Sequence, residues 1–149
     1  MVSRDQELLS AAALTTFKLN GQFLEVAEGL ARPAGLTATW WQVLGAVLQT
    51  PLPVSAIARE MGITRQAVQR TADVLVERGL AEYRDNPAHK RAKLVAVTTD
   101  GLAAVRAISP DHARQAKRLS NLLGQEEFAR AVEALTLLSK ALDTLAKQP

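Results

Sequence analysis

The sequence predicts a mainly α-helical fold interrupted by one small β-hairpin. Three observations predict it. The 149 residues are rich in alanine and leucine, and aromatic residues make up only 4%, a composition that favours helix over sheet. Apolar residues recur at intervals of three and four along most of the chain. Only between Leu80 and Thr98 does the period shorten to two, on either side of a polar stretch.

Residues 4–31 read as a long first helix. Leu8, Ala12, Leu19, Phe23, Val26 and Leu30 lie near helical spacing, and Leu9, Leu14, Phe17 and Leu24 widen the apolar face beyond one stripe. Pro33 and Gly35 break the chain. A second helix is expected from about Thr37 to Gln49, with Trp41, Leu44 and Val47 or Leu48 inward, before the break at Pro51 and Pro53. A short helix follows over 53–61, its proline acceptable in a first turn that needs no donor there. Gly62 supplies the left-handed backbone that ends it. Thr64 is a good N-cap for the next helix, which runs to about Arg78 with Val68, Ala72 and Leu75 inward and stops at Gly79.

The hairpin comes next. Leu80–Arg84 and Lys93–Thr98 read as strands, and Asp85–Arg91, with its Asn86-Pro87 turn signal, as the connection. Thr98 or Thr99 caps a further helix from about Asp100, kinked or restarted at Ser109-Pro110. The last helix covers about Gln125 to Lys147, with Phe128, Val132, Leu135, Leu138, Leu142 and Leu145 along one side.

Composition narrows the function. The chain has no cysteine and two histidines, which leaves no disulfide framework, thiolate zinc site or cysteine redox switch. No glycine-rich phosphate loop or carboxylate pair suggests catalysis, and neither a metal nor a cofactor is expected. No apolar run approaches the ~20 residues that span a bilayer, and the N-terminus lacks the pattern of a secretory signal. The expected location is the cytoplasm. Net charge is +3, so the distribution of charge says more than its sum.

That distribution points to duplex DNA. A short helix, a glycine turn and a second helix form a helix-turn-helix, and the hairpin directly after it forms a wing. Thr64, Arg65, Gln66, Gln69 and Arg70 occupy the first two turns of the second helix and leave Val68 and Ala72 for the core. Gln and Arg can make paired hydrogen bonds to adenine and guanine edges in the major groove. The acids Asp73 and Glu77 come later, where a helix docked by its N-terminal end leaves the groove. The hairpin adds Arg84, Lys90, Arg91 and Lys93 against one acid, Asp85. Taken singly, each group is an ordinary solvated surface; in this order and spacing they make a nucleic-acid-binding pattern.

These residues resemble the MarR family of bacterial transcription regulators, most densely over 36–103. Leu36-Thr37 followed by Trp41, Val43 and Leu44 is similar to the family's second helix. VSAIAREMGITRQAVQRTADVLVERGLAEY is similar to its helix-turn-helix, and NPAHKRAKLVAVTTDG to its wing and the start of the following helix. The resemblance implies one domain over 1–149, with a DNA-binding lobe at 36–98 and a helical dimerisation lobe formed by 4–31 and 100–147. It implies a homodimer on a pseudo-palindromic operator, usually a repressor, often released by a small aromatic or anionic effector. Arg91 takes the place of the wing-tip arginine. Two departures stand out: the family usually has acids where Asn86 and His89 stand, and often a polar residue where Trp40 stands.

The residues support a dimer independently, since the end helices carry apolar faces too wide for one small core. Trp40 and Trp41 point about 100 degrees apart on a helix. Trp41 aligns with Leu44 and Leu48 as core. Trp40, with Phe17, is a candidate to line an effector cleft, against simple packing on the first helix. The rival function is a winged protein-interaction module that does not bind DNA.

Overall fold

The computed structural model describes all 149 residues. The first helix, α1 (Arg4–Ala31), begins at a capping box: Ser3 Oγ accepts the Gln6 N–H at 3.2 Å and Gln6 Oε1 accepts the Ser3 N–H at 2.9 Å. A 3₁₀ turn at Arg32–Ala34 follows. Helix α2 (Ala38–Ala46) is capped by Thr37, and its first free amide, Ala38 N–H, donates to Glu28 Oε2 of α1 at 2.9 Å. The sequence pattern predicts this helix to Gln49. It ends three residues earlier because Val47 turns out of helical geometry, at φ −108°, ψ 8°, and is itself buried. Leu48 is exposed, so Val47 is the inward residue of the two.

Leu52–Pro53 forms a short strand, β1, that the pattern does not predict. Pro53 stands just before α3 (Val54–Met61) rather than inside it. Gly62 at φ +67° ends α3, and Thr64 caps α4 (Arg65–Glu77), its hydroxyl accepting the Ala67 N–H at 3.1 Å. The hairpin strands are β2 (Ala81–Arg84) and β3 (Leu94–Val97). All three strands are antiparallel in the order β1-β3-β2, with Tyr83 opposite Val95 and Leu52 pairing Val95 from the other side. Helix α5 (Thr99–Leu123) runs on through Pro110, and α6 (Gln125–Ala146) completes the chain. No helix is long and apolar enough to cross a membrane.

The chain divides into two compact units, Met1–Ser109 and Pro110–Pro149. The core of the first is apolar, with no buried polar or charged residue. Leu44 of α2, Ile57 of α3, Val68, Ala72 and Leu75 of α4, Val95 of β3 and Ile108 of α5 are at most 2% exposed. Each large side chain among them contributes roughly 1.5–3 kcal/mol by leaving water. The periodic face of α4 therefore fixes how the helix rotates about its axis and leaves its polar face outward.

One junction holds the wing root to the rest. Thr98 Oγ1 donates to Gly79 O at 2.6 Å and accepts the Gly101 N–H at 3.1 Å, while Thr98 N–H donates to Leu80 O at 3.2 Å. Gly101 is buried there. A Cβ at that position would lie 2.0 Å from Leu80 O, so only glycine lets α5 approach so closely. The second unit comprises the later part of α5 and α6, and no residue of α6 is buried.

Candidate nucleic-acid interface

Helix α4 projects its polar face where the core packing leaves it. Thr64, Arg65, Gln66, Gln69 and Arg70 are all exposed. Thr64 divides its role, because its hydroxyl oxygen already accepts a helix amide. Arg65, Gln66 and Arg70 make no side-chain hydrogen bond or ion pair within the chain. Their charges and amides remain available to an external partner.

The wing brings a second set of groups to the same side. The Asn86 side chain closes its turn by accepting the Ala88 N–H at 3.0 Å, and His89 N–H donates to Asn86 O at 3.1 Å. Asn86 thus shapes the turn through its amide oxygen. Lys90, Arg91 and Lys93 are exposed and unpaired. Arg84 differs. Its guanidinium is bound to Glu82, with Nη2–Oε1 at 2.8 Å and Nε–Oε1 at 2.9 Å. Asp85 is thus not the only acid that bears on the hairpin cations: Glu82 lies two residues from Arg84 on the same strand face.

A cleft of about 590 Å³ separates α4 from the wing. Arg65, Gln66 and Gln69 line it from the helix, Arg91, Ala92 and Lys93 from the wing, Tyr83 from β2, and Pro53, Val54 and Ser55 from the β1–α3 junction. Three cations line this concave surface and no acid does. In such a cleft like charges reinforce one another, and the field favours an anion.

Three side chains that sequence reasoning did not assign complete the site. Gln69 Nε2 donates to Asp73 Oδ1 at 3.0 Å and to the Tyr83 hydroxyl at 2.9 Å, and the Tyr83 hydroxyl donates to Asp73 Oδ1. Burial raises the Tyr83 phenol above its ordinary range, and the hydrogen bond and charge of Asp73 raise it further. The spacing of Gln69 and Asp73, four apart on one helix, is readable in the sequence. The Tyr83 contact is tertiary and is not. The third residue, Arg78, holds its guanidinium 5.4 Å from the centre of the Trp40 ring.

That contact bears on the candidate effector residues. Trp40 and Trp41 both pack half-buried against the core of the first unit. Trp40 therefore offers a ring face already covered by Arg78 rather than an open stacking platform. Phe17 is 70% exposed on α1. No group of three or more His, Cys, Asp or Glu side chains is placed to hold a metal ion.

Comparison with known proteins agrees with this architecture. The MarR family model matches residues 34–92. Proteins of Mycobacterium tuberculosis and Mycobacterium bovis without a described function are 41% identical over 93 residues, 62% of this chain. The match spans 65% of the length of those relatives. Among solved structures, Sco5413, a MarR family transcriptional regulator from Streptomyces coelicolor, superposes with a TM-score of 0.73 at 26% identity, covering 91% of this chain and 96% of that one. The M. tuberculosis transcriptional regulator MosR in complex with DNA superposes with a TM-score of 0.76 at 23% identity, covering 90% and 97%.

Proposed function

We propose that the chain is a MarR-type, sequence-specific duplex-DNA-binding transcription regulator, a homodimer that represses from a pseudo-palindromic operator, a reading that starts from the match of its winged lobe to the MarR family model over residues 34–92. The observation that carries this reading is the acid-free cleft between α4 and the wing, with Arg65, Arg91 and Lys93 around it. A sugar-phosphate strand is an anion shaped to follow such a cleft. The first turns of α4 then meet base edges while the wing cations meet phosphates. Thr64, Arg65, Gln66, Gln69 and Arg70 are the groove residues, and Lys90, Arg91 and Lys93 the phosphate residues. Arg84 joins the latter once it leaves Glu82. The fold shared with a regulator solved on DNA supports the same reading.

The dimer rests on uncovered apolar surface. Leu137, Leu142 and Leu145 of α6 are 71%, 56% and 62% exposed, and Leu14 and Phe17 of α1 are 67% and 70% exposed. Faces of that extent mark an interface in a water-soluble chain. A two-fold axis then sets two α4 helices toward successive major grooves. Release by a small aromatic or anionic effector is part of the proposal. An effector stacking on the face of Trp40 that Arg78 covers displaces Arg78, which couples its binding to the residue that ends α4.

The test is DNA binding as a function of salt. Purified chain and genomic fragments should give an inverted repeat, with affinity falling steeply as salt rises from about 50 to 200 mM. Arg91→Ala should weaken binding to all sequences alike and lower the salt slope by about 1. Salt-independent binding, or none, would leave the winged fold as a protein-interaction module.

A further inference from the structure

We propose that Asp73 and Tyr83 form a clamp that turns the Gln69 carboxamide so that it offers its oxygen to the major groove, selecting a base that bears an exocyclic amine there, adenine or cytosine. The proposal rests on the DNA-binding reading and adds a specificity rule to it. Asp73 and Tyr83 are positioning residues; Gln69 is the reader.

The orientation follows from counting hydrogens. A carboxylate only accepts, so the group that Gln69 turns toward Asp73 must be its nitrogen. Tyr83 has one hydroxyl hydrogen, and it goes to Asp73. The Tyr83 oxygen can then only accept, which again demands the nitrogen of Gln69, found at 2.9 Å. Reversing the amide would set Oε1 against two acceptors with no hydrogen between them. Both partners therefore choose the same face, and the Oε1 end is left without a partner in the chain. Gln69 is exposed and lines the cleft between α4 and the wing, so this free oxygen belongs to the surface that meets DNA.

An unrestrained glutamine reads adenine with both ends, accepting from N6 and donating to N7. With the nitrogen committed to the clamp, only acceptance remains. The major-groove donors on bases are the N6 amine of adenine and the N4 amine of cytosine, whereas guanine and thymine present acceptors. The clamp also ties the reader to β2, since Tyr83 stands on the wing strand. Helix and wing then set the amide together.

The experiment is selection of bound duplexes from a random library, with the parent, Gln69→Ala, Asp73→Asn and Tyr83→Phe read at every base position. Gln69→Ala locates the position Gln69 reads, as the one whose preference collapses. The parent should favour adenine or cytosine there by about tenfold over guanine and thymine. Asp73→Asn, which can donate to Oε1 and so let the amide reverse, should cut that preference to about threefold or less at this position only. Tyr83→Phe should weaken it by a smaller factor at the same position. A clamp that serves only stability would instead lower binding at all positions equally, and that result overturns the proposal. So does a parent preference for guanine or thymine, or unchanged selectivity in both variants. If the parent enriches no sequence, the DNA-binding reading itself fails and the clamp falls with it, an outcome separable from the others.

Discussion

The contact at Gly101 gives the sharpest test of the packing. Gly101→Ala places a methyl carbon 2.0 Å from Leu80 O, 2.9 Å from Val97 Cγ2 and 3.0 Å from Leu80 C. Ordinary van der Waals contact begins at 3.4 Å, so α5 or the wing root must move by about 1.4 Å. The obstacle is backbone, and Leu80 O also accepts the Thr98 N–H, so it cannot swing aside without losing that bond. Overpacking of this kind costs about 1–3 kcal/mol, and the hydrogen bond adds about 0.5–1.5 kcal/mol. Against this, alanine gains about 0.5–1 kcal/mol over glycine inside a helix. Sterics win, with a net loss of about 0.5–4 kcal/mol. For a chain of this size that lowers Tm by about 1–16 °C, using 2–4 °C per kcal/mol. Circular dichroism melts at one fixed protein concentration measure it, because association shifts Tm. Gly45→Ala is the control: nothing lies within 4 Å of its Cβ, so it should leave Tm unchanged or raise it. Gly101→Ala melting at or above the parent would refute the close approach of α5 to the wing root.

Other consequences are directly measurable. Thr64→Ala should destabilise by about 1 kcal/mol through loss of the α4 cap, read as a lower urea midpoint at unchanged slope. Tyr83 is the only tyrosine, so the phenolate absorbance of the folded chain reports it alone, and its midpoint should lie above the ordinary value of 10.0. The phenol is raised on folding, so this group's contribution to stability is full below pH 10.0 and is lost as pH climbs toward the raised value. The alkaline fall in stability should flatten in Tyr83→Phe, and a phenolate midpoint at the ordinary value would contradict the Asp73 contact. Arg78→Ala removes the cation over Trp40; indole emission should change, with a stability loss of about 0.5–1 kcal/mol, and an unaltered spectrum would argue against the stacking. Sedimentation at micromolar concentration should give twice the 16.1 kDa of one chain, and Leu138→Glu with Leu142→Glu should return it to the single-chain mass.

Much of the fold could be read from residue pattern because local and tertiary demands agree. Gly62 and Thr64 mark the turn and the cap by backbone chemistry alone, and the Val68, Ala72, Leu75 face is both periodic and buried. The capping box at Ser3 and Gln6 is equally local. What escaped is what depends on distant chain. Strand β1 is two residues long and contains a proline, so it has no propensity signal and exists only by pairing with β3. The early end of α2 has no breaker at Val47, where the chain leaves helical geometry with the side chain buried. The Arg84–Glu82 pair was readable from the two-residue strand period. The contacts of Gln69 with Tyr83 and of Trp40 with Arg78 span 14 and 38 positions and need the packed lobe.

Helix α6 has 22 residues and none is buried within the chain. If that surface is covered only by a second copy, the mature species scales with the square of chain abundance at low levels. A two-fold site would then fill abruptly over a narrow range of synthesis rates rather than in proportion to them. On the dimer reading, the uncovered face of α6 would set a threshold on gene dosage.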